Sequence, residues 1–62
     1  MIGTKVHYPE QPKLGLGVIK VVNPYHDGTD LYRNNEHYKV YFSKPGIYMT
    51  IFKEELIILN DK

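Results

Sequence analysis

A chain of 62 residues makes one domain, taken here as 1–62, and a domain of this size buries only about 60% of the surface its unfolded chain exposes. It has no cysteine, so neither a disulfide framework nor a thiolate metal site is available, and packing must supply its stability. Eight basic against seven acidic side chains leave a net charge of +1, which is not the strongly basic balance of a nucleic-acid-binding domain. No apolar run approaches the roughly 18 residues of a membrane span, and residues 1–9 hold no signal-peptide core, so a cytoplasmic location is expected. Met1 at the start leads to the expectation of a chain close to full length.

Glycine and proline divide the chain into short pieces, the pattern of an all-β meander. Lys5-Val6-His7-Tyr8 reads as the first strand, stopped by Pro9, which lacks the N–H that a central strand needs. Pro9 and Pro12 frame a turn. Gly15-Leu16-Gly17 then leads into Val18–Val22, a β-branched run ended by Asn23-Pro24. Glycines on both sides of Leu16 point to a bulge or sharp bend there. Tyr25–Glu36 is a polar stretch containing Asp27-Gly28, a turn signal.

The third strand is His37–Phe42, in which Tyr38, Val40 and Phe42 alternate with His37, Lys39 and Tyr41 to give an apolar and an amphipathic face. Ser43-Lys44-Pro45-Gly46 has the proline-then-glycine order of a type II turn. It pairs this strand with Ile47–Ile51, whose Ile47, Met49 and Ile51 are expected to face the core. Phe52–Leu56 is too short to sustain a helix and is expected to be a one-turn 3₁₀ link. Ile57–Leu59 is expected to follow as a fifth strand that closes a small barrel and removes the exposed sheet edges.

Gly3-Thr4-Lys5-Val6-His7-Tyr8-Pro9, then Pro12 and Gly15-Leu16-Gly17-Val18-Ile19, resembles the opening of a group of bacterial small barrels. These are the Tudor-like domain at the C-terminus of UvrD/PcrA-type helicases, the RNA-polymerase-interacting domain shared by CarD and the transcription-repair coupling factor, and related short bacterial domains. Tyr38-x-Val40-x-Phe42, followed by Glu54-Glu55-Leu56-x-x-Leu59, resembles the second half of the same pattern, so the likeness runs from about residue 2 to residue 59. Tyr8 stands where those domains usually have a histidine before Pro9, and the Asn23–Glu36 segment is longer than usual. The resemblance implies a five-stranded SH3-like or Tudor-like barrel with a one-turn 3₁₀ link before its last strand. It also implies a non-catalytic protein-interaction module that binds RNA polymerase or another DNA-transaction protein.

The residues carry no constellation for other chemistry. His7, His26 and His37 lack metal-ligand spacing, and neither Ser43 nor any threonine stands in a nucleophile elbow, so neither a metal, a cofactor nor an enzyme is expected. Six tyrosines are the most informative class. Tyr41 and Tyr48 are expected across the hairpin from each other, and with Tyr8 and Lys39 they form a candidate aromatic platform. Arg33, the sole arginine, is flanked by Tyr25 and Tyr32 in a combination favoured at interfaces. The candidate partner-binding residues are therefore Tyr8, Arg33, Lys39, Tyr41 and Tyr48. Contact by strand addition at a sheet edge is the expected mode. The alternatives are a weak nucleic-acid-binding barrel that uses lysines on phosphates and tyrosines on bases, and an oligomer whose tyrosines bury one another. Tyrosine simply covering a thin core while its hydroxyl stays wet is the plainer account.

Overall fold

The structure, a computed structural model, describes residues 2–59. Five strands form a single antiparallel sheet in the order β4-β3-β2-β1-β5, with β1 at Lys5–His7, β2 at Gly17–Val22, β3 at His37–Phe42, β4 at Ile47–Phe52 and β5 at Ile57–Ile58. The all-β reading therefore holds, and the element order matches the meander expected from the turn residues. Strands β4 and β5 lie at opposite edges; among the described residues no ladder joins them, so the sheet is not closed by backbone pairing. Two 3₁₀ turns, Pro12–Leu14 and Lys53–Glu55, link β1 to β2 and β4 to β5, the second where a one-turn link was expected. No helix among the described residues is long and apolar enough to cross a membrane.

The core lies against one face of this sheet. Tyr38, Val40 and Phe42 of β3 are fully buried, and so are Val6 of β1 and Ile19 of β2. Ile51 of β4 joins them, and Leu14 and Leu56 cover the core from the two 3₁₀ turns. Each such side chain contributes on the order of 1.5–3 kcal/mol by leaving water, which is how a cysteine-free chain of this length holds together.

Not every expected core residue arrives there. Ile47, Met49 and Ile51 do pair with Phe42, Val40 and Tyr38, so all three point to the inner side. Only Ile51 is buried, however; Met49 is half-buried and Ile47 is 41% exposed, because no further strand covers the outer edge of β4. Ile57 and Ile58 on the opposite edge are exposed for the same reason.

Strand β2 carries an irregularity that its composition does not announce. Ile19 pairs with Val40 but Val21 pairs with Lys39, which leaves Lys20 as an extra residue in a bulge. The inserted residue shifts the alternation by one, so Val21 faces outward with Lys39 and not inward with Ile19. The bend expected around Leu16 divides into two effects. Gly15 takes a positive φ of 75°, whereas Gly17 is needed for space, since a Cβ there would lie 2.5 Å from Val40 Cγ1 and 2.7 Å from Phe42 Cε1.

Tyr38 is fully buried, and its hydroxyl donates to Glu36 Oε2 at 3.0 Å. Burial raises the phenol above the ordinary tyrosine range, and the hydrogen bond and charge of Glu36 raise it further. The protonated phenol is thus the form that folding favours. Its contribution is complete below the unfolded-state value of about 10 and is lost as pH rises through the higher folded-state value. Urea titrations should therefore show stability falling above about pH 10, with a shallower fall in Tyr38→Phe; equal slopes would rule out this linkage.

Gly17→Ala should destabilise the domain by about 1–3 kcal/mol through overpacking alone. A melting temperature unchanged from the parent would show that Val40 and Phe42 can yield.

Candidate functional site

On the outer face of the sheet, strand pairing sets Tyr41 directly opposite Tyr48, next to Lys39 opposite Thr50. The two tyrosine rings meet with centroids 4.8 Å apart at 49°. Lys39 leans across from β3 so that its Nζ stands 5.2 Å from the centre of the Tyr48 ring, within the range of a cation–π contact. Tyr48 is 57% exposed and Tyr41 half-buried, so the pair presents a ring face and a wet hydroxyl together. Val18 lies beside Tyr41 on β2, and the bulge brings Val21 beside Lys39. The result is an apolar strip that carries Lys39, with Lys5 of β1 paired to Val18 at its border. Of the six outward positions on β3 and β4, namely His37, Lys39, Tyr41, Tyr48, Thr50 and Phe52, Lys39 alone carries a fixed charge.

The other end of the same hairpin is covered. His37 pairs with Phe52 four residues along β3 from Tyr41, about 13 Å away at the usual strand rise. Here the segment between β2 and β3 folds back over the outer face and forms a cluster of four rings. Tyr32 packs on His37 at 4.9 Å and on Phe52 at 5.3 Å, and Tyr25 meets Tyr32 at 5.2 Å and stacks over His37 at 6.0 Å. The segment expected to be irregular contains a single helical turn, α1 at Asp30–Arg33. One turn cannot sustain itself. Asp30 at its start pairs with Arg33 at its end, Asn35 Nδ2 donates to Leu31 O at 2.9 Å, and Tyr32 anchors it to the sheet.

His37 holds this arrangement together and is the one fully buried polar side chain among the described residues. Its Nε2 accepts from the Tyr25 N–H at 2.9 Å, which leaves Nδ1 to donate to Asn35 O at 3.0 Å. That pairing specifies the neutral ring with its proton on Nδ1. Asn23 completes the clasp. Its N–H donates to His37 O at 2.7 Å while its Oδ1 accepts from His37 N at 3.0 Å. Asn23 adopts a φ of 51°, a left-handed conformation that asparagine takes more readily than most residues.

The five candidate residues therefore separate. Lys39, Tyr41 and Tyr48 come together. Arg33 sits at the far end of the hairpin, exposed and paired with Asp30. Tyr8 leaves the platform altogether and packs half-buried against the core. Burial raises its phenol above the ordinary range, and the charges of Glu55 and Glu10 raise it further. Tyr25 and Tyr32, read from the sequence as favoured at interfaces beside Arg33, make ring contacts with His37 and Phe52, and Tyr25 stays 50% exposed. The visible hint was a histidine opening a strand otherwise rich in tyrosine and aliphatics.

The three histidines occupy separate surroundings: His7 on β1, His26 beside Asp27 in the connecting segment, and His37 in the ring cluster. No family model, curated protein or solved structure matches the chain.

His37→Phe preserves the ring but strands the Tyr25 N–H and the Asn35 carbonyl, each costing about 1–3 kcal/mol if buried without a partner. Denaturant titration should show that loss, together with altered ring resonances of Tyr25 and Tyr32. A variant as stable as the parent would show that His37 contributes only ring packing.

Proposed function

We propose that this domain is a non-catalytic protein-interaction module that docks through the outer face of the β3–β4 hairpin. The observation that carries the reading is the Tyr41–Tyr48 pair with Lys39 above it. Tyrosine is the residue type enriched among interface anchors, and strand register sets two of them side by side on this face. An exposed and a half-buried tyrosine held in register by a ladder need little further ordering, so they lose little entropy on contact.

The finer fold belongs to this proposal. A five-stranded meander with β5 returning to β1 around a single buried cluster supports an SH3-like or Tudor-like small barrel. The order of landmarks from Gly3 to Leu59 resembles the polymerase-binding and helicase-appended bacterial barrels. On that basis the partner is RNA polymerase or a DNA-transaction protein, met in the cytoplasm.

The test is affinity capture from a bacterial lysate, with and without nuclease, using the parent and a Tyr41→Ala/Tyr48→Ala variant. Capture of polymerase or repair proteins should survive nuclease and weaken in the variant by about 2 kcal/mol or more, roughly 30-fold. A melting curve would establish that the variant is folded. Equal recovery by parent and variant would remove the platform from the interface. Loss of every partner on nuclease treatment would favour nucleic-acid binding instead.

A further inference from the structure

At the His37 end of the hairpin, away from the tyrosine pair, the surface opens into a cleft of about 340 Å³. Half-buried Phe52 and buried Leu56 give it an apolar base, and Asn35, Lys53 and Glu54 stand around it. Past Asn35, Phe52 and Glu54 it continues to Leu31, which sits exposed on α1, and to Glu55. The connecting segment thus builds one wall and the 3₁₀ turn after β4 the other. On the far side of that turn, Glu54 and Glu55 share an adjoining depression with Pro9 and Glu10.

The charges around this cleft are unlike those elsewhere on the domain. Of the carboxylates among the described residues, Asp27 lies against His26, Asp30 pairs with Arg33, and Glu36 takes Lys53 and the Tyr38 hydroxyl. Glu10, Glu54 and Glu55 have no ion pair among the described residues, and all three line the cleft or the depression beside it. Lys53, the cation at the cleft, is already held by Glu36 at 3.5 Å. A chain of net charge +1 therefore gathers its unanswered negative charge at one place. Among the described residues these carboxylates form no group that could hold a metal ion. Negative charge spread beside exposed apolar surface instead complements a cation carried on a long apolar stem. Arginine suits it best, because its planar guanidinium lies flat on an aromatic ring and bonds carboxylates through two parallel hydrogen bonds.

We infer that this cleft holds an arginine side chain from a basic segment of a partner protein, its stem against Phe52 and Leu31 and its guanidinium on Glu54 and Glu55. Glu10 meets a second basic residue of the same segment. The site is separate from the tyrosine platform, and its occupancy does not depend on that platform being an interface.

Titrating the isotopically labelled full chain with a short glycine–serine peptide that carries Arg-Leu-Arg at its centre tests this. Three comparisons accompany it: the same peptide with citrulline for both arginines, the same peptide with lysine for both, and the Glu54→Gln/Glu55→Gln variant. The arginine peptide should shift the resonances of Leu31, Phe52 and Leu56, and its binding should weaken as salt rises. Citrulline keeps the shape of arginine without its charge. That peptide, and the arginine peptide on the variant, should each bind roughly tenfold more weakly or worse. The lysine peptide should bind several-fold more weakly than the arginine peptide. The variant should keep its melting temperature, because both carboxylates are exposed.

Equal binding of the citrulline peptide, or undiminished binding to the variant, would overturn recognition by charge. Equal binding of the lysine peptide would overturn the choice of arginine. Shifts centred on Tyr41 and Tyr48 would move the cation to the tyrosine platform and overturn the cleft as its site. Cleft resonances that move with protein concentration in the absence of peptide would assign the cleft to a second copy, again overturning the inference. No shift at millimolar arginine peptide would sink it while leaving the platform to the lysate capture, and an empty lysate capture would leave this site standing.

Discussion

Tyr38, Val40 and Phe42 are fully buried on the inner face of β3, in a chain with no disulfide to share the work of stabilising it. The other elements are arranged around that row. Gly17 lacks a side chain because Val40 and Phe42 occupy the space where one would stand. Ile19 and Val6 approach from the neighbouring strands, and the two 3₁₀ turns exist in a form that lets Leu14 and Leu56 reach the same cluster. In a domain that buries so little surface, a single strand with three fully buried residues sets the register of its neighbours.

The outer face of β3 is divided by what the connecting segment can cover. His37 draws Tyr25 and Tyr32 over one end through ring contacts and two hydrogen bonds. Fourteen residues on a surface, Asn23 to Glu36, would otherwise be a large entropic cost for little contact, and the four-ring cluster offsets it. The other end stays bare, and there Tyr41, Tyr48 and Lys39 stand together. The aromatic residues of this small chain thus do two jobs. One group is a second core for the connecting segment; the other is the surface proposed to meet a partner. They lie on the same face of one hairpin, so a partner bound at the platform would sit next to the ring cluster.

Much of the fold was legible because its signals are local. Proline and glycine mark the breaks, and the alternation in His37–Phe42 identifies both its faces, down to the buried Tyr38 and the exposed Lys39. The Tyr41–Tyr48 contact followed from the length of a single turn, which determines hairpin register. What was not legible depends on non-local contacts. The outward turn of Val21 depends on a bulge at Lys20, and no glycine marks it. Ile47 and Met49 point to the inner side as expected, but their burial depends on whether another strand covers the edge of β4. Tyr8 was grouped with the platform, and Arg33 with the other partner-binding candidates, by residue type, and residue type carries no position.

Residue order alone determined a short all-β meander of one domain, its turns, and the two-faced character of β3, because these follow from φ preference and a period of two. Only the tertiary structure decided which tyrosines gather around His37 and which stand at the other end of the hairpin. That choice depends on His37, whose two ring nitrogens bind atoms twelve and two residues away, Tyr25 N and Asn35 O. A pairing between β2 and β3 must form before these groups can meet, and no local pattern records it.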